Sequence, residues 1–291
     1  MRKRYSATKI NPSRFSLSQM PFYLILLPVA IFMILPIVYI FNHALKPFDE
    51  LIEYPPRFFV KRPTLANFIE FFKVSAISDV PVSRYLFNSL VITITICVLS
   101  IIIASMAGYA LSKLKFKMKA IIFEINTIAL MFVGVAVSIP KYIIIEKLGL
   151  VNTFWVYIIP TLAMPVGMFL IKQFIDQVPN ELIEAAKMDG ATEFRIYWSI
   201  ILPLIKPAIA TVGMMAFQSV WNDSGIAATY INDESLKTFA YYVATLSSSS
   251  NTVASQGLAA VSTLIMFIPN LIIFLILQSQ VMNTMAHSGI K

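Results

Sequence analysis

The chain has 291 residues, of which 58% are hydrophobic and 13% charged, with a mean hydropathy of +0.76 and a formal net charge of +8. A soluble domain carries roughly a quarter charged residues, so this composition excludes an ordinary water-soluble protein and requires an integral membrane one. The single cysteine, Cys97, excludes an intrachain disulfide and, lying in an apolar run, reads as a small buried side chain.

In chain order, residues 1–20 are polar, with Arg2, Lys3, Arg4, Lys9 and Arg14 and no acid. Residues 22–41 then supply the roughly 20 apolar positions that a spanning helix needs. The run is longer than a signal-peptide core and has no small-residue cleavage site behind it, so a retained helix is expected. Further spans are expected at 86–111, 120–139, 154–171, 208–230 and 258–277, giving an all-α integral membrane protein of six transmembrane helices.

Basic residues set the orientation. With the N-terminal side inside, most of the 23 Lys and Arg share that face, including Lys113, Lys115, Lys117 and Lys119 in one loop and Lys172, Lys187, Arg195 and Lys206 in another. The remainder lie largely in 42–85, where acids offset them. Both termini are therefore expected in the cytoplasm, and the positive charge serves topology and membrane lipid rather than nucleic acid.

That topology puts residues 179–207 in the cytoplasm as a loop between the fourth and fifth spans. Pro179 and Asn180 resemble a helix start, with Glu181 and Glu184 suiting the positive end of the helix dipole. Asp189-Gly190 reads as its stop, because glycine takes the left-handed conformation that ends helices. A second helix is expected from Ala191 to Leu202, interrupted by Pro203 and Pro207. Ala185 and Ala186 leave the first helix thin on one side, which permits close approach of another backbone.

Glu184-Ala185-Ala186, three residues, Gly190, nine residues, then Ile200-Ile201-Leu202-Pro203 fill every fixed position of the EAA loop of ABC-importer permeases. Flanking pieces resemble the carbohydrate branch, in particular the half similar to the maltose-transporter G subunit. They include Tyr85 to Leu90, Gly108 to Phe116, Leu148 to Thr153, Ile159-Pro160, Gln173-Phe174, Ser219 to Asp223 and the tail from Ser288 to Lys291. The resemblance implies a bacterial cell-membrane permease working with a sister permease, two ATPase subunits and an external solute-binding protein that delivers sugar, with an oligosaccharide favoured over a monosaccharide. No GK[ST] phosphate loop occurs in the sequence, so no cofactor is expected on this chain, and ATP and Mg belong on the partner ATPase. The chain is thus expected to be a transport subunit rather than an enzyme.

The resemblance further implies that Glu181, Glu184, Asp189 and Arg195 make polar contacts with the ATPase. Leu182, Ala185, Ala186, Met188 and Ile196 would supply the close-packed face, with Gly190, Leu202 and Pro203 shaping the loop. Within the spans, sugars are held by hydrogen bonds and aromatic faces, which makes Asn88, Trp221 and Asn222 pathway candidates; packing is the competing role of intramembrane polar groups. The resemblance leaves open which of the two permease subunits holds the sugar contacts. Glu124 reads as an interfacial acid paired with Lys117 or Lys119, Pro160, Pro165 and Pro269 as kinks, and 222–256 as a polar, flexible outer segment. His43 and His287 do not suggest a metal site.

Three other classes compete. A permease of the same kind for a non-sugar solute would share the loop. A secondary transporter would need mid-membrane acids and inverted repeats, and a membrane enzyme would need convergent His or Asp residues; the sequence offers neither set.

Overall fold

A computed structural model describes residues 20–77, 80–248 and 253–288. The basic segment from Arg2 to Arg14, Ser249 and Ser250, and the tail 289–291 lie outside the described residues. Among the described residues every regular element is helical.

Helix α1 (Met20–Leu45) is apolar on all sides and buries only Ala44, the profile of a helix whose surroundings are lipid or another chain. Two helices, α2 (Phe48–Leu51) and α3 (Ala66–Ile77), follow in the segment expected outside the membrane. Its two buried charges are satisfied within the segment: the Glu50 carboxylate accepts the backbone N–H groups of Lys61 and Arg62, both at 2.9 Å, and the buried Lys46 ammonium donates to the Arg57 carbonyl.

Helix α4 (Val82–Lys113) has 32 residues, about 48 Å at 1.5 Å per residue, and is the axis of the molecule. It packs against α8 (Pro165–Asp176) and α12 (Lys206–Trp221). A stripe of small buried residues, Ser100, Ala104 and Gly108, permits this. A Cβ added at Gly108 would stand 2.9 Å from Ile171 Cγ2 and 3.3 Å from the Lys172 nitrogen, so only glycine allows α8 this close.

The apolar run at 120–139 does not form one helix. Helix α5 (Lys119–Ala129) ends, 130–137 make tight turns such as Met131 N–H to Ile128 O at 2.9 Å, and α6 (Ser138–Lys147) begins afresh. Val133, Val135 and Val137 around Gly134 are poor helix formers, and nothing lies within 4 Å of a Cβ built at Gly134 to compensate by packing. The fourth run is also divided. Helix α7 (Trp155–Ile158) passes into a 3-10 turn (Ile159–Thr161), and the α8 axis is bent by 42° from this pair. Pro160 and Pro165 sit at this break, as expected, whereas Pro269 lies inside a continuous α15 (Val253–Ser288).

Beyond α8 come α9 (Asn180–Met188), α10 (Glu193–Ile196), a π-helical turn (Tyr197–Ile201), α11 (Leu202–Leu204) and α12. The stretch 222–256, expected to be flexible, instead holds α13 (Gly225–Tyr230), a 3-10 turn (Glu234–Leu236) and α14 (Phe239–Ser248), with Phe239, Ala240 and Val243 buried. Helix α15 packs against α1, α12 and α14. Among the described residues, three helices (α1, α4 and residues 256–281 of α15) are long and apolar enough to cross a membrane, and counting the two bent pairs as single spans makes up to five.

Candidate functional site

Residues 179–207 form a helical elbow, and its shape follows from local chemistry. Helix α9 ends in a Schellman arrangement: Gly190 has φ +78°, its N–H donates to Lys187 O at 3.0 Å, and the Ala191 N–H reaches Ala186 O at 2.9 Å. Thr192 then caps α10, its hydroxyl accepting the Arg195 N–H at 3.4 Å. Pro203 and Pro207 lack the N–H groups that would bond back into the preceding turn, and the chain turns there by 81° into α12.

The elbow is buried on one side only. Ile183, Ile196, Tyr197, Ile201 and Ile205 join Ile171, Ile175, Val178 and Val212 in a single apolar cluster. On the other side Glu181, Leu182, Glu184, Ala185, Met188, Asp189, Gly190 and Arg195 are exposed, Met188 to 89%. Pro203 is exposed at the corner, while Ala186 and Leu202 are partly buried against the cluster. Ile196, expected on the partner-facing side, is 0% exposed and anchors the elbow instead. The true inward residue of α9 is Ile183, which sequence reasoning passed over because Leu182 and Ile183 are equally apolar.

Side chains at the C-terminal end of α4 hold the elbow. Tyr109 OH donates to Glu193 Oε2 at 2.6 Å, and Lys187 Nζ reaches Glu193 Oε1 at 2.5 Å. Tyr197 OH and Ser105 Oγ are 2.7 Å apart in a buried contact. Lys113 Nζ donates to Val178 O at 2.6 Å and to Asn180 Oδ1 at 2.9 Å. Ser112 Oγ donates to Asp176 Oδ1 at 2.6 Å. The hydrogen bond from Lys187, reinforced by that from Tyr109, holds the Glu193 carboxyl below the usual glutamate range and therefore ionised. Tyr109, Ser112 and Lys113 lie in a motif visible in the sequence, but the Glu193 link to α4 had no local signal, since Tyr109 is 84 residues away. The result is a base anchored to α4, α8 and α12 on one side, with an open outer face.

The three pathway candidates are placed differently. Asn88 is buried at the other end of α4, where Nδ2 donates to the carbonyls of Ser235 at 2.8 Å and Lys237 at 2.9 Å. Trp221 is 3% exposed, stacks on Phe217 and donates from Nε1 to Met266 O at 3.0 Å. Both hold helices and loops together. Asn222 is exposed and exchanges amide hydrogen bonds with Asn270 of α15. Glu124 is exposed and forms no ion pair among the described residues; Lys119 donates to the Ser112 and Leu114 carbonyls instead. No cluster of three His, Cys, Asp or Glu side chains able to hold a metal occurs among the described residues.

The comparisons with known proteins agree with this architecture. Over 205 residues the chain is 31% identical to the sulfoquinovosyl glycerol transport system permease protein of Agrobacterium fabrum, covering 70% of each. Over 260 residues it is 26% identical to the trehalose transport system permease protein of Mycobacterium tuberculosis, covering 89% of this chain and 92% of that protein. A chain from the crystal structure of a bacterial ABC transporter involved in the import of the acidic polysaccharide alginate superposes with a TM-score of 0.75 at 21% identity, over 92% of this chain and 99% of that one. The model of one family matches residues 12–284, and the chain accordingly belongs to the binding-protein-dependent transport system inner membrane components.

Proposed function

We propose that this chain is a permease subunit of an ATP-driven carbohydrate importer, forming half of a translocation pathway in a bacterial membrane. In this reading it crosses the membrane six times with both termini in the cytoplasm, pairs with a sister permease, and receives sugar from an external binding protein. ATP and Mg sit on two partner ATPases, each docked on the elbow of one permease. The sugar class rests on relatives named for sulfoquinovosyl glycerol and trehalose transport and on the alginate importer of similar fold.

The observation that carries the coupling role is the one-sided burial of the elbow: Ile183 and Ile196 are sunk into the cluster while Glu184, Ala185 and Met188 face outward. ATPase closure moves the docked elbow as a body, and its attachment to α4 through Tyr109 and Lys113 re-aims the membrane helices, which is alternating access by rigid-body motion.

The test uses Gly190→Val and Glu184→Lys in the intact importer. No atom lies within 4 Å of a Cβ built at Gly190, so valine acts there only by forbidding φ +78°. Both variants are expected to insert in the membrane normally, lose co-purifying ATPase and lose uptake by about ten-fold or more; at 190 the cause is a left-handed non-glycine residue, which costs on the order of 1–3 kcal/mol, and at 184 a reversed charge on the outer face. Normal uptake by both would show that the elbow does not couple.

A further inference from the structure

A second feature lies away from the elbow, at the break between α7 and α8. The chain there opens a cavity of about 410 Å³ among α4, α6, α7, α8 and α12, within the roughly 300–1,000 Å³ range of small-molecule sites. Its polar wall carries Ser100, Lys141, Tyr157, Thr161 and Asp223, and Ile96, Met164 and Met215 supply apolar surface.

Three of these polar groups have unused bonding capacity. Ser100 is 1% exposed and its hydroxyl has no partner, an arrangement that costs free energy unless something fills it. The Lys141 ammonium forms no ion pair or hydrogen bond among the described residues, although it borders the cavity. Asp223 spends Oδ1 on the Ile226 N–H at 2.9 Å, leaving its other oxygen without a bond among the described residues. Ser100 lies near the middle of the 32-residue α4, and the 12-residue α8 begins at the cavity wall with Pro165. A discontinuous helix whose start borders a mid-depth cavity is how transporters present backbone to a solute.

We propose that this cavity is a solute-binding site within this subunit, and that its solute is an uncharged polyhydroxy compound. The class follows from the charges. One cation and one anion share the wall without pairing with each other, so the site has no net charge to offer an ion, whereas hydroxyl groups donate to Asp223 and accept from Lys141 at once. The buried, unpartnered Ser100 hydroxyl completes the polar set. The apolar residues meet the C–H faces of the ring. The proposal rests on the carbohydrate-importer reading above and adds that this subunit, not its sister alone, holds the sugar.

The complete importer in membrane vesicles provides the test, with Cys97→Ser removing the native thiol. Thr161→Cys and Ser219→Cys place single thiols on the cavity wall, and Lys61→Cys serves as an exposed control. Each is treated with a small hydrophilic maleimide, with and without millimolar trehalose, raffinose or glucuronate, and uptake of the same three sugars is measured in parallel. The expected result is that a transported neutral sugar slows labelling at 161 and 219 by about ten-fold, leaves position 61 unchanged, and is not imitated by glucuronate. Lys141→Gln and Asp223→Asn should each raise the uptake KM by about ten-fold, the size of one lost charge-assisted hydrogen bond, with Asp223→Glu recovering most of it. Co-purification of the ATPase identifies any variant that fails to assemble.

If a neutral sugar is transported yet labelling and KM are unmoved, the site is refuted while the importer reading stands. If glucuronate alone is transported and protects, the uncharged class is refuted. If none of the three sugars is transported or stimulates ATP hydrolysis, the carbohydrate reading fails and takes this proposal with it.

Discussion

The two ends of α4 are built on opposite plans. At its N-terminal end Tyr85 OH donates to Glu234 at 2.8 Å, Asn88 donates to two carbonyls, and the Phe239 N–H donates to Ser89 Oγ at 2.8 Å. Asn152, held at φ 57°, accepts the Asn232 and Asp233 N–H groups at 2.9 and 2.8 Å. Most of these contacts end on backbone, and they close the 3-10 turn against the helix. At the C-terminal end the contacts run chiefly from side chain to side chain, through Glu193, Tyr197 and Asp176, and the elbow keeps a whole face free. One end is closed by bonds to backbone; the other is fastened by a few side-chain pairs and leaves a face exposed.

The strongest challenge to this contrast is at Asn88. Replacing it with leucine strands the buried Lys237 carbonyl, at about 1–3 kcal/mol, and leaves the Ser235 carbonyl with only the Arg84 Nε–H at 3.1 Å. Asn88→Leu should therefore lower the thermal midpoint and the yield of assembled importer, while uptake per assembled complex stays near normal; a loss of uptake at full stability would mean the closed end also couples. Tyr109→Phe at the other end removes one hydrogen bond to an ionised acceptor, about 1.5 kcal/mol. It should reduce uptake per ATP hydrolysed more than it reduces the thermal midpoint, and the reverse ranking would erase the distinction between the ends.

The smallest effect concerns pH. Because its partners hold the Glu193 pKa below the ordinary value near about 4.3, Glu193 contributes stability above that value and loses it only as pH falls through its folded pKa. The difference in thermal midpoint between the native chain and Glu193→Gln should be constant from neutral pH down to about 5 and vanish below the carboxylate range. The pair is well exposed, so the difference should be under about 1 kcal/mol. A difference that disappears already near neutrality would show that Lys187 and Tyr109 do not hold the carboxylate.

What was legible in the sequence follows from what is local. The apolar runs at 22–41, 86–111 and 258–277 lie inside α1, α4 and α15, because a long lipid-compatible run leaves the backbone no choice but helix. The Asp189-Gly190 stop was legible for the same reason, since φ +78° is a property of one residue. The turns at 130–137 were hidden because composition registers apolarity and not helix propensity. The roles of Asn88 and Trp221 were hidden because their acceptors lie 147–149 and 45 residues away, so a satisfied polar group looked like one waiting for a ligand. Rotation of α9 about its axis, which selects Ile183 over Leu182, depends on a cluster drawn from four separate helices.

The near-perpendicular corner at Pro203 and Pro207 has one more consequence. With 81° between the arms, almost none of a thrust delivered along the first arm survives as sliding along the second. It arrives as torque about the foot of α12, and a torque applied to a membrane-embedded rod swings its far end through the largest arc while its foot barely shifts.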